Sequence, residues 1–140
     1  MDAQTKLAVS LVIGPRTQAN ADTLWRDFAA RTEGALPDLI TTDEYRVYAG
    51  AILSAYGIPK AFPRTGKPGR PRKPQLVAPQ KLVYAMVHKL RRKGRVVQVT
   101  IRRVFGTAWQ VAQALARSTV SVHVNTSFVE RFNATVRQHN

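Results

Sequence analysis

Apolar positions change their spacing several times along this chain, and each change predicts an element. Leu7-Ala8-Val9-Ser10-Leu11-Val12-Ile13 is a nearly continuous, β-branched apolar run closed by Gly14-Pro15, which predicts a buried strand after a turn over residues 2–6. From Thr17 the period becomes helical. Ala21, Leu24, Trp25, Phe28 and Ala29 share a face, Thr17 is placed to cap the helix start, and Gly34 supplies a left-handed stop. After Pro37, residues 38–43 predict a strand whose last residue is the carboxylate Asp43. A helix carrying Tyr45, Tyr48, Ile52, Leu53 and Tyr56 follows, ending before Gly57-Ile58-Pro59. Strand, helix, strand, helix argues for an α/β sheet with a right-handed crossover, in which ligands gather at the carboxyl ends of strands. Asp43 stands at such an end.

The pattern then breaks. Residues 60–79 are Pro, Gly, Lys and Arg with few aliphatic side chains, which predicts a basic linker. Residues 80–106 predict a basic hairpin. Leu82 to Leu90 and Val96 to Phe105 are its strands around Arg92-Lys93-Gly94-Arg95, and Val97, Val99 and Ile101 alternate with Gln98, Thr100 and Arg102. Trp109 to Ala116 predicts a short helix, and residues 118–124 an extended or looped segment. The last helix, residues 126–140, puts Val129, Phe132 and Val136 on one face and Glu130, Asn133 and Arg137 on the other. Ser127-Phe128-Val129-Glu130 also fits a capping box, so Glu130 has a helix-capping reading beside any chemical one.

Length and composition narrow the class. The 140 residues suit one domain, and 44% apolar side chains can bury a core. The absence of cysteine excludes disulfides and thiolate metal clusters and agrees with a reducing, cytoplasmic setting. No secretory leader and no run of membrane-spanning length is present, so no membrane partner is expected. The formal charge of +14 is uneven: residues 1–44 hold 4 basic and 7 acidic side chains, whereas residues 45–140 hold 18 basic ones against the single acid Glu130. Such a field attracts a polyanion, and nucleic acid is the expected partner.

Against that background the two carboxylates Asp43 and Glu130 are the candidates for chemistry. Brought together, they would offer hard oxygen ligands to Mg²⁺ or Mn²⁺, with substrate phosphates and water completing the shell. Two ions about 4 Å apart would activate an attacking oxygen and stabilise a leaving one on a phosphodiester. Asp2 is a further metal-ligand candidate. Gly66-Lys67-Pro68-Gly69-Arg70-Pro71-Arg72-Lys73-Pro74 resembles an AT-hook, with Pro68 where that motif has its first Arg, which makes Arg70, Arg72 and Lys73 candidate minor-groove contacts; a solvated linker is the alternative. Arg91, Arg92, Lys93 and Arg95, with Lys89, Arg102 and Arg103 beside them, are candidate phosphate contacts on the hairpin. His88, His123 and His139 lack metal-ligand spacing, and no phosphate loop, dinucleotide fingerprint or nucleophile elbow occurs.

A strand pair expected around Asp2-Ala3-Gln4-Thr5-Lys6, then Gly14-Pro15-Arg16-Thr17 opening a helix, Thr42-Asp43-Glu44-Tyr45 and Asn125-Thr126-Ser127-Phe128-Val129-Glu130-Arg131-Phe132-Asn133, resemble the insertion-sequence-one type of bacterial transposase in the DDE superfamily. The resemblance implies a ribonuclease H-like mixed sheet flanked by helices, with the basic hairpin as an insertion before the last catalytic helix. It implies that Asp43 and Glu130 are the second and third catalytic carboxylates, and that Asn133 and Arg137 contact DNA near the scissile phosphate. The family's first aspartate lies in an Asp-Glu-x-Trp segment that does not occur here, so Asp2 corresponds to a turn aspartate. The chain is therefore expected to be a partial catalytic domain over 1–140, weak or inactive alone. The complete enzyme would cut and join double-stranded DNA at element ends and target with two metal ions, in a homo-oligomeric synaptic complex at the bacterial nucleoid. The competing expectation is a noncatalytic DNA-binding protein or a decayed transposase remnant.

Overall fold

The computed structural model describes residues 1–63, 66, 70, 72–124 and 126–138. Lys67, Pro68, Gly69 and Pro71 of the AT-hook-like stretch, Asn125 and His139 lie outside the described residues. Helix α1 (Gln18–Arg31) is followed by strand β1 (Ile40–Asp43), helix α2 (Val47–Tyr56), strands β2 (Ile58–Lys60), β3 (Gln75–Val77), β4 (Tyr84–Arg92) and β5 (Arg95–Phe105), then helices α3 (Ala108–Arg117) and α4 (Ser127–Gln138). The architecture is mixed α/β. A three-stranded mixed sheet runs β1-β4-β5, parallel between β1 and β4 and antiparallel between β4 and β5, and β2 and β3 form a separate antiparallel pair.

The local signals for the helices operate as expected. The Thr17 side chain accepts from the Asn20 amide at 3.2 Å, satisfying a donor that the first helical turn leaves free. Gly34, at φ 74°, returns its N–H to the Ala29 carbonyl. Thr107 and Gln110 cap α3 reciprocally, side chain to backbone in both directions.

Strand β4 explains where the core lies. Leu82 to Val87 is a six-residue apolar run, and alternation sends its side chains to both faces of the sheet. On one face Tyr84 and Met86 pack with Leu82, Ile40, Ile52, Ala21 and Trp25, the last two from α1. On the other, Val83, Ala85 and Val87 pack with Val111 of α3 and Val124. Tyr84, Ile52 and Leu82 have essentially no exposed surface. Each such side chain contributes about 1.5–3 kcal/mol of transfer free energy relative to an exposed position.

Two expectations are corrected here. Leu7 to Ile13 is not a strand: the segment has no ladder partner among the described residues, and Leu7, Leu11 and Ile13 are 65%, 51% and 83% exposed. It is tied to α1 through the Ser10 hydroxyl, 2.6 Å from the Asp27 carboxylate. Apolar composition favours burial, but a strand also requires a partner for its backbone groups. Residues 60–79 are not a plain linker, because Lys60 closes β2 and Gln75–Val77 forms β3, and the two strands pair with Ile58 opposite Val77 and Lys60 opposite Gln75. The predicted hairpin forms, and its first strand is the sheet's central one.

Candidate nucleic-acid and phosphoryl-transfer site

Parallel pairing of β1 with β4 sets the site. Asp43, the last residue of β1, lies opposite Val87. Lys89, two residues further along β4 and so roughly 7 Å along the strand, forms an ion pair with Glu130 of α4, Nζ to Oε1 at 2.5 Å. The register thus places Asp43 and Glu130, distant in sequence, at one end of the sheet. The Thr126 hydroxyl also donates to Glu130 Oε1 at 2.6 Å, and the Glu130 amide donates to the Thr126 carbonyl. Glu130 therefore takes part in starting α4 through Thr126. Hydrogen bonds from Lys89 and then from Thr126 hold the Glu130 carboxyl below its ordinary pKa.

Asp43 is clamped by Arg16, Nη2 to Oδ2 at 2.5 Å, and the Arg16 guanidinium stacks 4.7 Å from the Tyr45 ring centroid. The hydrogen bond to Asp43 pushes the guanidinium's pKa up from its already high value. The neighbouring Glu44 contacts Nδ1 of His88. Beneath these pairs Thr42 Oγ1 and the Tyr84 hydroxyl share a buried hydrogen bond of 2.8 Å. Burial, the largest effect, pushes the Tyr84 phenol up to about 12.

The carboxylates are of the chemical class that holds Mg²⁺ or Mn²⁺, yet each is neutralised by its own cation. Among the described residues no group of three or more His, Asp or Glu side chains gathers to hold a metal. Asp2 does not join them. Its carboxylate accepts the Gln4 and Thr5 amides and the Thr5 hydroxyl, and its own amide donates to the Leu7 carbonyl, so it is the aspartate of a local turn. Those bonds, the Thr5 hydroxyl first, lower its pKa.

The candidate DNA contacts fall into three groups. Arg70, Arg72 and Lys73 lie exposed between β2 and β3, with Arg72 stacked 5.1 Å from the Phe62 ring centroid. Arg91, Arg92, Lys93 and Arg95 form the exposed tip of the β4–β5 ribbon, where Lys93 and Gly94 both have positive φ, 48° and 78°, as a tight two-residue hairpin turn requires. Asn133 and Arg137 are exposed on α4, whereas Phe132 and Val136 are half-buried. The sequence reading did not assign Arg16, Glu44 or His88 to the site. Arg16 lies in one of the blocks carrying the resemblance, which was its available signal; pairing of His88 with Glu44 depends on strand register, which has no local signature.

No protein-family model, no curated protein and no solved structure matches this chain. Among the described residues no helix is long and apolar enough to cross a membrane.

Proposed function

We propose that this chain is a catalytic domain of a DDE-type DNA transposase with a ribonuclease H-like core, acting on double-stranded DNA. One observation carries the reading: Asp43 at a strand's carboxyl end and Glu130 on the last helix are linked through β4 at the base of a strongly cationic ribbon. Acidic side chains beneath a basic surface suit metal-assisted phosphoryl transfer, in which the basic surface holds the phosphate backbone. Mg²⁺ or Mn²⁺ bound there would activate water or a 3′-hydroxyl and stabilise the leaving oxygen. The residues that would hold it are Asp43 and Glu130. Arg16 and Lys89 must turn away when it binds, and both are long enough to do so toward DNA phosphate. Asn133 and Arg137, on the exposed side of α4, would contact DNA nearby. In the complete enzyme the protein would act as a homo-oligomer at the nucleoid.

The two existing ion pairs favour a second reading, a noncatalytic DNA-binding protein, because Arg16 and Lys89 already neutralise both carboxylates. Calorimetric titration with Mn²⁺ separates the two. The transposase reading expects measurable binding that weakens in Asp43→Asn and in Glu130→Gln, with little strand transfer by residues 1–140 alone. Mn²⁺ affinity unchanged in both variants, with DNA binding intact, would establish the noncatalytic reading.

A further inference from the structure

The β4–β5 ribbon continues beyond the point where helices cover the sheet. Tyr84 to Val87 are buried, His88 and Lys89 are half-buried, and Leu90 to Arg103 are exposed throughout. Carboxylates pin the ribbon on both sides at its base, Glu44 at His88 and Glu130 at Lys89. Beyond them the chain from Leu90 to Arg103 carries Arg91, Arg92, Lys93, Arg95, Arg102 and Arg103 and no acid.

Register divides the ribbon into two unlike faces. His88 opposite Thr100, Leu90 opposite Gln98 and Arg92 opposite Arg95 share one face, with Arg102 further down opposite Met86; a register shift between Leu90 and Arg91 leaves Val97 as an extra residue on β5 and so brings Arg95 to the side of Gln98. Lys89 opposite Val99, Arg91 opposite Val96 and Val87 opposite Ile101 share the other. The first face is a row of long hydrogen-bonding side chains, Arg, Gln and Arg. The second carries Lys89, Arg91 and, opposite Ala85, Arg103 among the aliphatic Val96, Val99 and Ile101, which are exposed by 44%, 54% and 46%.

Arg92 and Arg95 are direct cross-strand partners at the tip, and Lys93 lies in the turn between them. Like charges at this position destabilise a ribbon in isolation, and a bound anion removes the penalty. Size supplies the second constraint. Beyond the Lys89–Val99 pair the ribbon has three residues on β4 and four on β5, extending about 10 Å, and two paired strands are about 5 Å apart before side chains are added. The major groove of B-form DNA, roughly 12 Å wide and 8.5 Å deep, accepts a two-stranded ribbon, whereas the deep, narrow major groove of A-form RNA does not.

We propose that the exposed β4–β5 ribbon enters the major groove of duplex DNA, with the Arg92, Arg95, Gln98 and Arg102 face directed at base edges and flanking phosphates. This rests on the reading of the chain as a DNA-acting protein and names the element that engages the duplex. It also gives the ribbon its relation to the carboxylates: DNA seated on the tip brings a phosphate backbone toward Asp43 and Glu130 at the base.

The test uses the whole chain and a DNA duplex of about two helical turns, probed with dimethyl sulfate, which methylates guanine N7 in the major groove. The wild type is expected to bind and to protect N7. The triple variant Arg92→Gln, Arg95→Gln, Arg102→Gln should bind about tenfold to a hundredfold more weakly, lose the protection and show a shallower salt dependence, by about 0.9 in slope for each phosphate contact removed. Val96→Thr with Val99→Thr, on the opposite face, should bind as the wild type does. Duplex RNA of the same sequence should bind more weakly than DNA. Wild-type binding with N7 unprotected, wild-type-like affinity of the triple variant, or equal affinity for RNA would overturn the ribbon proposal while leaving DNA binding through another surface. Absence of any duplex binding by the wild type would overturn both the ribbon proposal and the reading it rests on. The wild-type footprint decides the matter even if the triple variant does not fold.

Discussion

The two halves of the β4–β5 hairpin have the same ladder and opposite environments. At the base, β4 is the central strand of the sheet and its side chains are buried on both faces. At the tip, the same strand and its partner are exposed on both faces and carry arginine and lysine. Backbone pairing is therefore the common requirement, and side-chain chemistry assigns the roles: continuous aliphatic sequence anchors, alternating basic and aliphatic sequence projects. The edge of β5 carries positive charge, which discourages another strand from adding to it.

The sharpest way to break this comparison is to cut into the base. Leu82→Ala removes a fully buried side chain and should destabilise the protein by about 2–5 kcal/mol. Val99→Thr, on the exposed ribbon, should stay within about 0.5 kcal/mol. Urea denaturation of both variants measures the contrast, and equal effects would show that the ribbon is as integral to stability as the base.

A smaller effect is expected at the turn. Gly94 has φ 78° with no neighbouring atom in the way of an added Cβ, so Gly94→Ala isolates backbone strain and should cost about 1 kcal/mol. If the tip opens independently of the base, hydrogen exchange at Arg91 to Gln98 will accelerate while the urea midpoint hardly moves.

The smallest effect concerns the collar at the ribbon's base. Lys89→Met removes the cation that helps keep Glu130 ionised, and for a pair this exposed the expected cost is about 0.2–1 kcal/mol. Because the Glu130 pKa is lowered in the folded protein, the stability it supplies is present above the ordinary glutamate pKa of 4.5 and is lost as pH falls through the folded value. Acid titration followed by hydrogen exchange in α4 should show that loss in the wild type and a reduced one in Lys89→Met. Identical profiles would remove the pair from the account of how α4 is held.

The structure also shows which kinds of sequence information were legible. Helical signals were, because caps and periodic apolar positions act within a few residues: Thr17, Gly34 and the face of Ala21 and Trp25 lie where the spacing predicts them. The hairpin was legible from its turn and alternation. Leu7 to Ile13 misled because apolar composition says nothing of whether a ladder partner is at hand. The role of β4 was missed for the complementary reason, since a six-residue apolar run next to a basic turn looks local until β1 pairs with it in parallel.

By itself the sequence determined the charge asymmetry, the four helices, the hairpin and its turn, and Asp43 and Glu130 as candidate carboxylates, all features that depend on composition or on neighbours along the chain. Tertiary structure alone decided that the hairpin supplies the central strand, that Arg16 covers Asp43, that Lys89 holds Glu130 and which side chains share each face of the ribbon. The physical reason is long-range pairing: strand register, set by burial and pairing rather than by local preference, fixes which side chains share a face, and a shift of one residue would move every strand side chain to the opposite one.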